Sequence, residues 1–142
     1  SINNLIEKEK RLFNITTYKK FKENVIKSKI DLLEKLINIK KSGKKVVGYS
    51  LPARAMTLIN YVGIDIDLLP YIVEQPSSLK LNKFVPGTSI PIISNNCLEE
   101  EKPDFLLIFA WHLKNEIMDH LRSRGIKAKC IFPLPEVEII EL

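Results

Sequence analysis

The side chains able to do chemistry in this sequence are few and scattered, and only a fold could gather them. Ser50 and Arg54 stand in the run Lys45-Val46-Val47-Gly48-Tyr49-Ser50-Leu51-Pro52-Ala53-Arg54-Ala55. A guanidinium beside the free N–H groups that open a helix offers forked donors to a phosphate. The alternative for Arg54 is an ion pair with an acid such as Glu74. Glu74 itself ends an apolar run 26 residues after Gly48. Dinucleotide folds hold ribose hydroxyls with an acid at that place; otherwise it is a solvated acid at a strand end. His112 offers a base or a donor to a substrate, with no orienting acid evident. Trp111 offers a face for stacking a base or sugar, or else marks the edge of a core. His120 falls within a helical stretch and reads as a surface residue. Cys97 and Cys130 match no metal or redox spacing and read as buried free thiols. Nothing in the spacing supports a Cys97–His112 nucleophilic pair, and no metal cluster is visible.

A strand and a helix must position Ser50 and Arg54. Lys45–Tyr49 reads as a buried strand, with β-branched residues in an apolar run. The helix after it spans about 52–62. Ser50 is expected to cap it, Pro52 to sit in its first turn, and Gly63 to end it. Glycines in the pattern G-x-G-x-x-G are missing: Gly48 is followed by no glycine until Gly63. Gly48 therefore either opens a nucleotide site or only lets strand and helix pack closely.

The rest of the chain alternates strands and helices. A short helix over 5–13 is followed by one from Thr16 or Thr17 to about Ser42, closed by Gly43. Tyr71–Val73 is the second strand and Ile90–Ile93 the third, with Pro86-Gly87 marking a turn before it. The fourth strand, Phe105–Ala110, is continuously apolar and so buried on both faces. A helix over 114–124 and a fifth strand, Lys129–Phe132, follow, and the alternating tail Glu136–Ile140 fits an added edge strand. Such alternation predicts an α/β, Rossmann-like parallel sheet in the order 3-2-1-4-5, preceded by a long N-terminal helix. Residues 1–44 would be a helical arm and 45–142 the Rossmann-like domain. In that order the first and fourth strands are neighbours. Ser50–Arg54 and Trp111–His112 then flank one crevice at the C-terminal ends of the strands.

Composition narrows the function. The chain has 142 residues, 45% hydrophobic, and a net charge of +5. Residues 1–45 hold 13 Lys/Arg against 5 Asp/Glu, whereas 46–142 hold 9 against 12. The lysines lie on an amphipathic helix with few aromatic residues to stack bases, which points to a solvated or partner-facing helix and away from nucleic acid. No apolar run is long enough to cross a membrane, and no signal peptide is evident, so a cytoplasmic location is expected.

The run Val47–Ala55 continued by Thr57-Leu58-Ile59-Asn60-Tyr61 resembles the C-terminal domain of SAM-dependent sugar C-methyltransferases. Lys83-Phe84-Val85-Pro86-Gly87-Thr88-Ser89-Ile90-Pro91-Ile92 and Pro103–Trp111 agree with the same family in order. The sequence departs from the pattern at Arg54-Ala55, where the family usually has Lys-Gly, at His112, where it has Asn, and at Glu74, where it often has Asp. The resemblance implies a domain that helps hold a nucleotide-linked keto-deoxysugar against the methyl donor. It implies Tyr49, Ser50, Pro52, Ala53, Arg54, Glu74, Lys83, Pro86, Gly87, Thr88, Trp111 and His112 as substrate-binding residues, with no catalytic or metal-binding residue in this segment. It places S-adenosylmethionine, zinc and the catalytic base in preceding domains, so this segment alone is expected to be inactive. The partners are then a nucleotide diphosphate sugar and the methyltransferase domain of the same chain. The alternatives are a stand-alone nucleotide- or CoA-binding module, or a protein-interaction domain without catalysis.

Overall fold

The computed structural model describes residues 2–142. Helix α1 (Ile2–Lys41) leads into strand β1 (Val46–Tyr49), helix α2 (Ala53–Val62), β2 (Ile72–Glu74) and β3 (Ile92–Ser94). Then come a short α3 (Leu98–Glu101), β4 (Phe105–Ile108), α4 (Lys114–Ser123), β5 (Lys129–Phe132) and β6 (Glu138–Glu141). The sheet order is β3-β2-β1-β4-β5-β6. The first five strands pair in parallel and β6 is antiparallel to β5. The expected order therefore holds, extended by the edge strand that the alternating tail foreshadows.

Two apolar layers sandwich the sheet because β1, β4 and β5 are buried on both sides. Val46, Leu107 and Ile131 pack against Leu32, Leu36 and Ile39 of α1 and Ala55 and Ile59 of α2. Val47, Leu106, Ile108 and Cys130 pack against Met118 and Leu121 of α4 and Leu98 of α3. Gly48 sits in β1 where a Cβ would come within 2.6 Å of Ile72 and 3.1 Å of Phe109. Its role is close packing inside the sheet.

One helix replaces the two expected before β1. Asn14-Ile15-Thr16-Thr17 looks like a break followed by a cap, yet it contains neither glycine nor proline. Thr16 instead donates its hydroxyl to the Leu12 carbonyl one turn back, at 2.8 Å, which satisfies a mid-helix hydroxyl without interrupting the helix. Leu32, Leu36 and Ile39, in the second half of α1, are buried, and Ile2, Leu5, Ile6, Leu12 and Phe13 lie in its first half. The latter set is exposed.

Candidate functional site

Tyr49 of β1 pairs with Ile108 of β4, so the chain leaves both strands side by side at the same end of the sheet. After β1 it turns towards α2 on one face; after β4 it turns through Trp111–Leu113 towards α4 on the other. This divergence of connections is where open α/β sheets form a crevice. Ser50–Arg54 and Trp111–His112 thus follow two adjacent strands at the same end of the sheet, as the strand order requires.

The β1–α2 turn is tightly made. Ser50 adopts φ 65, a left-handed conformation uncommon outside glycine, and its N–H donates to the Val73 carbonyl at 2.8 Å. The helix does not use Ser50 as its cap. Pro52 is the capping residue, extended at φ −67 and ψ 161, and it makes no side-chain cap. Proline there costs nothing in hydrogen bonds, since the N–H it lacks would have been free. Ala53 and Arg54 open the helix and are exposed. Among the described residues Arg54 makes no ion pair. The alternative of an Arg54–Glu74 pair is therefore not realised. Glu74 instead accepts the Leu51 N–H at 3.2 Å and faces Lys80 Nζ at 3.6 Å. Tyr49 is half-buried, and burial raises its phenol above the ordinary tyrosine range.

Trp111 is half-buried and His112 exposed. Trp111 forms one wall of an apolar groove of about 440 Å³ between α1 and α2. Phe21, Val25 and Leu32 of α1, Leu58 and Tyr61 of α2, and Pro133–Pro135 complete it. Arg54, Leu58 and Tyr61 recur at helical spacing and so share one face of α2, of which Leu58 and Tyr61 line the groove.

Pro86, Gly87 and Thr88 do not join that crevice. They form the tip of a hairpin in which residues 82–85 run back against 90–92: Asn82 N–H donates to the Ile92 carbonyl at 2.9 Å and Val85 N–H to the Ile90 carbonyl at 2.8 Å. The tip lies ahead of β3, at the end of the sheet where the parallel strands begin. There the Pro86 carbonyl accepts from Asn60 Nδ2 at 3.0 Å, and Ser89 N–H donates to Asp65 at 2.8 Å. Thr88 Oγ1 bonds the Val85 carbonyl and the Ile90 N–H. Gly87 is left-handed at φ 80, and a Cβ would meet Asn60 Oδ1 at 2.3 Å. Lys83 is exposed on the returning strand. The resemblance groups Pro86–Thr88 with Ser50–Arg54 and Trp111–His112 as substrate-binding residues, but the structure sets this tip at the opposite end of the sheet: a proline-glycine turn before a strand closes the sheet's beginning, while ligand crevices open at its other end.

Lys80 is the residue that the sequence did not single out. Its Nζ donates to the Leu51 carbonyl and reaches back to Glu74. A lysine in a loop of ordinary composition carries no signal of that placement. Neither cysteine enters the site; burial pushes the Cys130 thiol up to about 11. Among the described residues no three histidine, cysteine or acidic side chains group to hold a metal, and no helix is long and apolar enough to cross a membrane.

Comparison with known proteins gives this arrangement its context. C-methyltransferase NovU of Streptomyces niveus is 28% identical over 127 residues, covering 87% of this chain and 29% of that protein. The chain therefore spans less than a third of the length of the relative it matches. Its residues 1–135 match a family profile from one end to nearly the other, and on that match the chain belongs to the C-methyltransferase C-terminal domain family.

Proposed function

We propose that this domain binds the nucleotide-linked keto-deoxysugar of a SAM-dependent C-methyltransferase and holds it for a methyltransferase domain of the same protein. One observation carries the reading: Arg54 stands exposed and without an ionic partner among the described residues, in the first turn of the helix that leaves β1 beside the exit of β4. A free guanidinium at the positive end of a helix suits a diphosphate. The adjoining groove supplies Trp111 and Tyr61 as apolar faces for the rest of the ligand.

A methyltransferase family implies S-adenosylmethionine as methyl donor in the full enzyme. Our reading puts no site for it in this domain, and two features support that. The β1–α2 turn lacks a glycine-rich loop, and the space above Gly48 is filled by Ile72 and Phe109. The domain's part is binding and orientation, and the transfer itself belongs elsewhere. Calorimetric titration tests this: a nucleoside diphosphate sugar should bind and S-adenosylmethionine should not. Tight S-adenosylmethionine binding would overturn the assignment.

The exposed apolar residues of α1, Leu5, Ile6, Leu12 and Phe13, favour a second and compatible reading. In it the first half of α1 contacts the methyltransferase domain. Joining the two domains should slow amide exchange in residues 2–13; unchanged exchange there would remove that reading.

A further inference from the structure

The two peptide groups flanking Leu51 are held by one pair of side chains. Its N–H donates to Glu74 Oε2 and its carbonyl accepts from Lys80 Nζ. The two side chains face each other at 3.6 Å, so they and Leu51 close a small ring. Within that ring the Glu74 side chain is only 11% exposed, whereas Lys80 is 41% exposed. Little water reaches the carboxylate to screen it. It stands at the turn that leads into Arg54, where a bound anion would feel its charge. A carboxylate beside an anion site repels the ligand unless a cation offsets it.

We propose that Lys80 is a positioning residue for the diphosphate of the nucleotide sugar: it cancels the charge of Glu74 and fixes Leu51, making the turn acceptable to an anion. The proposal rests on the nucleotide-sugar reading above. In it Arg54 contacts the ligand, whereas Lys80 acts through Glu74 and the backbone. Glu74 is then a brace for the turn and not a holder of ribose hydroxyls.

Charge cancellation and mere bracing predict different orders of affinity. The wild type, Lys80→Met, Lys80→Arg and the double variant Glu74→Gln/Lys80→Met are titrated with a nucleoside diphosphate sugar and, separately, with inorganic pyrophosphate. Lys80→Met should weaken both probes roughly three- to tenfold, and Lys80→Arg should keep the affinity. The double variant should recover most of the loss, since a glutamine still accepts the Leu51 N–H but carries no charge. A double variant no better than Lys80→Met would overturn the charge role. Amide exchange at Leu51 without ligand reads the brace by itself: slow in wild type and faster in Glu74→Ala. If exchange follows that pattern but the wild type binds neither probe, the nucleotide-sugar reading fails and the assigned role of Lys80 falls with it. Fast exchange at Leu51 in the wild type would overturn the brace itself.

Discussion

The turn after β1 and the tip of the 82–92 hairpin are built from the same kinds of residue and end in opposite conditions. Both combine a proline, a hydroxyl side chain and a left-handed residue: Ser50 and Pro52 in the first, Pro86, Gly87 and Thr88 in the second. At the hairpin tip the polar groups bond within the molecule. Thr88 bonds Val85 and Ile90, the Pro86 carbonyl bonds Asn60, and Ser89 bonds Asp65. The turn after β1 secures Ser50 and Leu51 in the same way, but leaves Arg54 exposed at the helix opening. A motif whose polar groups bond one another specifies a shape. A motif that keeps a charge in reserve is the one to examine for a ligand.

Substitutions can break this contrast. The largest effect is expected at Gly87→Val, which forces a β-branched residue into a left-handed conformation and against Asn60. It should cost about 2–4 kcal/mol of stability, measured by urea unfolding, while the molecules that remain folded bind nucleotide sugar as before. Next is Arg54→Ala. It should weaken that binding roughly 10- to 150-fold, the equivalent of about 1.5–3 kcal/mol, with the unfolding midpoint unchanged. Equal affinities would make the arginine irrelevant to the site and remove the contrast. Smallest is Asn60→Ala, which leaves the Pro86 carbonyl without its amide donor. A loss of about 1 kcal/mol in stability is expected, again with affinity preserved. A fall in affinity for this variant would mean that the hairpin reaches the ligand after all.

The sheet was legible because its strands are short, apolar and β-branched, and because Gly43, Gly63 and Gly125 end helices in the left-handed conformation that glycine favours. Strand order followed from crossover handedness, which needs only the alternation of elements. The long helix was misread as two because Thr16-Thr17 resembles a cap, and nothing local shows that a threonine will bond backwards to Leu12. The place of the β1–α2 turn beside the exit of β4 was legible for the same reason as the strand order. Its inner wiring was not: Glu74 and Lys80 meet Leu51 through a loop whose path no periodicity encodes. The resemblance grouped Pro86–Thr88 with loops at the other end of the sheet, because a shared family motif does not reveal which end of a strand its turn serves.

The returning strand of the 82–92 hairpin has one further consequence. An open strand edge is a template on which another chain can add itself and start aggregation. Here the chain covers its own edge: residues 82–85 bond Ile90 and Ile92, and Phe84 bridges to Pro91. At the far side of the sheet, β6 carries Glu138 and Glu141, charges that discourage a neighbouring strand. With both borders blunted, encounters between this domain and other proteins are steered to helix faces and loop ends, where recognition depends on side chains and so can be selective.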